Sequence, residues 1–441
     1  MTAFALCGAL AMGCDDGDTA AADAGGAGGG GGGACPAGTT EVDTDLCSLP
    51  AGTYTNNLTL AAGPAYLLEG PVFIGDGASA TTLTIEAGVT IYGKKDAASP
   101  GTLIIAQGAK IQANGTREAP IHFTSDQLEG QQAPGDWGGI ILNGHAPINV
   151  CGTNDGSCTA QGEGATGTYG GDDPDDNSGT LRYVIVSYAG TLFSEENELN
   201  GIAFQGVGRG TTVDYIQVHR NKDDGVEFFG GTVDVKHVVL TDEGDDSLDW
   251  TDGWQGRAQF VLIRQADDDG DNGIEADNRK GNNDYEPRSN PTLSNVTLLG
   301  SANADLGLLL REGTGAHLSN FIVTGFGEAC LALDHSATFV GACDADAPRI
   351  TIENMAIQCD EAFGAPDEEN TPEPPPCSTQ DVFARGGGNA AVDPQLNGYL
   401  PAEGSPMLGV GRAPADPWFD QVDFVGAFGT EDWAAGWTVG L

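Results

Sequence analysis

The chain has 441 residues with 64 acidic against 18 basic side chains, a formal net charge of −46. That balance repels nucleic-acid phosphates and anionic lipid surfaces, which excludes nucleic acid as a partner and leaves a membrane accessible only through an anchor. Strand signals dominate and no long stretch has the 3.6-residue period of an amphipathic helix, so the fold class is all-β.

Residues 1–14 read as an export signal, because the apolar run from Phe4 to Met12 is far too short to span a bilayer. The run ends in Ala11-Met12-Gly13-Cys14, which resembles a bacterial lipobox and implies lipid attachment at Cys14. Residues 15–34 are Gly, Ala and Asp with nothing to bury, and form a flexible tether with a reach of about 25 Å. The expected location is therefore outside the cytoplasm, as a surface, outer-membrane or periplasmic lipoprotein or as a secreted protein. Of ten cysteines, Cys7 leaves with the signal and Cys14 takes the lipid. The other eight fall into local pairs, Cys35/Cys47, Cys151/Cys158, Cys330/Cys343 and Cys359/Cys377, which in an exported chain read as disulfides. Zinc is the competing reading, but no pair has the two-residue gap of a zinc knuckle.

Residues 35–70 are Thr- and Gly-rich and are expected to cap a solenoid running over residues 71–410, with residues 411–441 as a C-terminal cap or tail. The solenoid is written most clearly from Thr212 to Asn278. Three acidic corners, each running into a short alternating strand, recur there as Asp224-Gly225-Val226-Glu227-Phe228, Asp246-Ser247-Leu248-Asp249-Trp250 and Asn272-Gly273-Ile274-Glu275-Ala276. Equivalent apolar positions Ile216, Val238 and Val261 are 22 and 23 residues apart. A fixed period of this size marks a solenoid in which each unit buries its apolar face against its neighbours.

The succession Leu83-Thr84-Ile85, Leu103-Ile104-Ile105 with Gly108-Ala109-Lys110-Ile111, Pro120-Ile121-His122-Phe123-Thr124-Ser125 and Trp137-Gly138-Gly139-Ile140 resembles the right-handed parallel β-helix proteins of bacterial surfaces. Asp393-Pro394 and Gly404-Ser405-Pro406 resemble their closing coil, and Gly426-Ala427-Phe428 with Trp433 and Trp437 resembles the tail of an uncharacterised secreted lipoprotein subgroup. The resemblance implies a single-stranded right-handed parallel β-helix, pectate-lyase-like, with coils of about 22–25 residues. It implies no established activity.

Two segments depart from the coil period, residues 151–177 and residues 361–377, and are expected to project as disulfide-stapled loops. Asn295, Asn320 and Asn354 share one column, expected to form an amide ladder in which each side chain bonds to the next coil. Above them the column holds Tyr183, Tyr215, His237 and Phe260, read as ring packing in preference to a ligand platform.

Alternation turns Val226, Leu248 and Ile274 inward and leaves Glu227, Asp249 and Glu275 in an outward row, with Leu309 next. Coils stack at about 4.8 Å, so three carboxylates stand one above another and require a cation, a shared proton or basic side chains. Asp224 and Asp246 in the neighbouring corner, with Glu227, Asp249 and Glu275, are therefore the candidate ligands of Ca2+. Further out, Asp277, Arg311 and Asp334 align as a ladder that neutralises itself, leaving the row uncompensated. The insertion at residues 279–288 sets Arg279, Lys280, Tyr285 and Arg288 beside the row as candidate ligand-binding groups.

Two functions follow: a binding or structural module directed at polysaccharide or another envelope component, and a polysaccharide lyase or glycoside hydrolase on the same face. In the second, Glu227, Asp249, Glu275, Arg264 and Lys280 are the catalytic candidates, Arg264 or Lys280 by analogy with the basic residue of β-helix lyases. Other chemistry is absent from the sequence. The glycine of Asp267-Asp268-Asp269-Gly270-Asp271 is misplaced for an EF-hand, Gly206-Val207-Gly208 lacks the Lys-Ser/Thr of a phosphate loop, and no serine-hydrolase elbow or zincin pair occurs.

Overall fold

The computed structural model describes residues 35–441 except 97, 153–157, 195–196 and 268–269. The export signal, the tether and Cys14 lie outside the described residues, as do Asp268 and Asp269.

The chain winds as a parallel β-helix. Long strands such as Thr212–His219, Asp234–Thr241 and Arg257–Arg264 stack in one sheet, and short strands such as Val226–Phe229, Leu248–Thr251 and Ile274–Ala276 stack in a second. Ile216 pairs with Val238 and Val238 with Val261, so the spacing of 22 and 23 residues is one coil each. Parallel pairing begins where Leu46–Leu49 meets Ala65–Leu68, inside residues 35–70. Alternation fills the interior with wholly buried side chains, among them Phe204, Phe228 and Trp254, whose rings stack at 5.3 and 4.0 Å. Large aromatic area buried between coils is what a solenoid without a central globular core needs.

Each long strand bends at one residue in the left-handed region: Tyr183, Tyr215, His237, Phe260, Asn295, Asn320 and Asn354, with φ between 49° and 61°. Asparagine accepts this conformation cheaply. The aromatic residues do not, and their strain is offset by stacking, with Tyr215 and His237 4.1 Å apart and 3° from parallel. No amide ladder forms from one asparagine to the next among the described residues. Asn295 instead donates to the carbonyls of Phe424 and Gly426, and Asn320 donates to the Ser294 hydroxyl while accepting from the Arg412 amide. The left-handed corner points these amides at the C-terminal segment, whose unpaired backbone groups take them.

That segment runs back along the outside of the first sheet. The Asp420 amide donates to Gln259, the Trp433 ring lies edge-on to His237 at 5.1 Å, and the Val439 amide donates to Gln217. The end of the stack is closed by the helix Thr379–Arg385, whose Val382 and Phe383 join the interior cluster.

Cys35–Cys47 and Cys151–Cys158 are bonded as their proximity predicts, but the last four cysteines are not. Cys330 bonds Cys359 and Cys343 bonds Cys377. Cys330 sits in the strand Ala329–Leu333 and accepts its neighbour from the following coil, where its amide donates to the Glu361 carbonyl. Cys343 ends the helix Ser336–Ala342. Stacking of coils therefore brings together cysteines that are distant along the chain.

Candidate functional site

The short strands place the acidic row in register. Glu227 pairs with Asp249 and Asp249 with Glu275, while Ala203 precedes and Leu309 follows. The row faces out of the coil yet is covered. Glu227 is 8% exposed, and Asn200, itself 2% exposed, donates its amide to it at 2.5 Å. Asp249 is half-buried, but its Oδ1 is shut off from solvent and has no hydrogen-bond partner.

The corner residues each use one carboxylate oxygen on the next coil. Asp224 accepts from the Asp246 amide at 3.2 Å and Asp246 from the Asn272 amide at 2.8 Å. Carboxylate oxygens then converge in two interlocked clusters, Asp224 with Glu227 and Asp249, and Asp246 with Asp249 and Glu275, each within 4.8 Å. Asp223, Asp245 and Asp271 extend the arrangement on its outer side. Asp223 and Asp245 were legible as doubled aspartates in the corner sequences, whereas Asn200 carried no local signal.

Burial pushes the carboxyls of Asp224, Glu227, Asp246, Asp249 and Glu275 well above their ordinary range, and neighbouring carboxylates add to the effect. The row is not without a basic partner, contrary to expectation. Arg311 reaches both Glu275 and, through Nε at 2.9 Å, Asp277. Asp334 does not join this ladder: Asn370 and Thr371 donate to it, and His335 lies beside it. Both acceptors lie on one coil, so direct pairing is confined to the Glu275 end, although the Arg311 charge also draws down the Asp249 carboxyl. Two unit charges about 5 Å apart repel by roughly 0.8 kcal/mol in water and roughly 3 kcal/mol at an effective dielectric of 20. The Glu227 and Asp249 end is where that repulsion remains.

The insertion loop is largely self-engaged. Arg279 pairs with Asp252 at 2.6 Å, and Asp252 also contacts the Tyr169 hydroxyl. Arg288 is buried, donating to the carbonyls of Asn283 and Gly313 and pairing with Asp284. Tyr285 packs its ring against Gly152, and Lys280 is exposed. Arg264 is not brought to the row; it bonds Asp242 and the Gly440 carbonyl at the edge of the first sheet.

The aromatic column is packing. Its rings cover one another face to face, and Trp433 and Trp437 lie against Tyr215 at 73° and 83°, so the faces between successive rings are taken up by packing.

The profile of a pectate-lyase like beta helix domain matches residues 52–438. No curated protein and no solved structure matches the chain.

Proposed function

Because the chain belongs to the pectate-lyase-like beta-helix family, we propose that it is an exported surface module that binds polysaccharide and is stabilised by calcium at its acidic corner. The observation that carries the metal is the pair of three-carboxylate clusters sharing Asp249. Calcium takes six to eight oxygens at about 2.4 Å, so oxygens on opposite sides of one ion are about 4.8 Å apart, the limit within which each cluster falls. Asp224, Glu227, Asp246, Asp249 and Glu275 would hold it, replacing mutual repulsion by attraction to one charge.

Binding fits better than catalysis. A glycosidase needs two carboxyls open to the sugar, and here Glu227 is covered while Arg264, a candidate base, is held by Asp242 and the Gly440 carbonyl away from the row.

Melting curves test the metal. Calcium at about 100 times its dissociation constant adds about 2.7 kcal/mol of stability, and a chelator reverses it. Asp249→Asn should abolish the calcium response, since both clusters lose a ligand. A melting curve indifferent to calcium and chelator would rule the ion out.

A further inference from the structure

Outside the acidic row, two adjoining clefts lie along one side of the first sheet. One, of about 1170 Å3, is lined by Arg220, Asp242, Arg264 and Tyr399; the other, of about 440 Å3, by Tyr92, His122 and Tyr188. Both include Gln132, and they adjoin where His219 gives way to Arg220. Their lining residues come from seven successive coils, those of Tyr92, His122, Ser187, His219, Asp242, Arg264 and Leu299. At about 4.8 Å per coil the groove is about 29 Å long.

Its chemistry is that of a surface reading hydroxyl groups. Arg220 is exposed on a left-handed corner with φ 57°, and among the described residues its guanidinium has no ion pair or hydrogen bond. In Arg264 the Nη2 nitrogen alone holds Asp242 and the Gly440 carbonyl, which orients the guanidinium and leaves Nε and Nη1 without partners among the described residues. Planar groups of this kind bind vicinal hydroxyls two at a time, and the half-buried tyrosines supply apolar ring surface. The charges of Arg220 and Arg264 are met by Asp242 and Asp267 in the first cleft and by Glu129 in the second, so the groove carries no excess of positive charge. His122 and His219 add no charge at neutral pH, because burial pushes both imidazoles down to about 4. An acidic polymer would gain nothing here and would meet the field of a chain with net charge −46.

We propose that this groove binds an extended neutral polysaccharide chain lying along the solenoid axis. The inference rests on the polysaccharide reading above, but places the sugar on the first sheet, away from the carboxylates of the second.

The test is calorimetric titration of the full chain with neutral hexasaccharides of β-1,4-glucan, chitin and xylan type, and with a polygalacturonate hexamer as the charged control, each with and without chelator. A neutral hexamer should bind regardless of chelator. Arg220→Ala should weaken it about tenfold, as loss of a charged hydrogen bond does, and Gln132→Ala about fivefold. Arg220 makes no side-chain bond among the described residues, so its variant should melt as the parent does, which the same samples verify. Neutral binding untouched by both substitutions would overturn the site and leave the polysaccharide reading standing. Binding of polygalacturonate alone would overturn the ligand class, and binding of no saccharide would overturn both proposals.

Discussion

Glu312 shows how burial at a single residue writes a pH dependence into the fold. It is 6% exposed, holds a left-handed φ of 50°, and its Oε2 has no hydrogen-bond partner. Burial, with a further push from Asp277, raises its carboxyl from 4.5 to about 7. The folded chain therefore holds this proton more tightly than the unfolded chain. The stability it contributes is complete below pH 4.5 and is lost as pH rises to about 7. Glu312→Gln should remove that loss, so the variant should gain melting temperature over the parent above pH 7 and show no such gain below pH 4.5. His335 acts in the same direction: Asp334 raises its imidazole, and that stabilisation also fades as pH rises. The partner of His335 is its own sequence neighbour, whereas the burial of Glu312 and the push from Asp277 come from the stacking of coils and are not visible in the local sequence.

At the scale of elements, the C-terminal segment and the disulfides join coils that the chain separates. Trp433 is 7% exposed, donates its indole N–H to the Ala427 carbonyl and covers His237. Trp433→Ala should cost about 3–5 kcal/mol of stability, measured by denaturant unfolding, because it empties the space between segment and sheet. The bond between Cys330 and Cys359 closes a separation of 29 residues. A loop of that size stabilises by about 3–4 kcal/mol in the chain-entropy account. Non-reducing peptide mapping should recover Cys330 with Cys359 and Cys343 with Cys377; fragments joining Cys330 to Cys343 would contradict the coil stacking. Proximity along the chain misassigned these pairs because adjacency in a solenoid is set by whole coils, not by the shortest loop.

For the whole molecule, we propose that the exported chain is held by a lipid at Cys14, and Cys14→Ser tests that anchor directly. In cells the parent should partition with membranes and the variant should be released, whereas identical partition would remove the lipid anchor from the proposal. The coil itself was legible from residue pattern alone. A strand alternates inside and outside with every residue, and parallel pairing repeats that alternation one coil later, so Ile216, Val238 and Val261 and the row of Glu227, Asp249 and Glu275 could be aligned by counting. What counting cannot supply is reach. Arg311 extends to Glu275, Asn200 covers Glu227, and residues 411–441 return along the first sheet to claim Asn295 and Asn320. These contacts run between coils or across loops with no fixed period. Sequence by itself determined the solenoid and its acidic column, because both follow from short-range backbone geometry; only tertiary structure decided which carboxylates are covered, which are neutralised and which cysteines meet, because those depend on where long side chains and long connections come to rest.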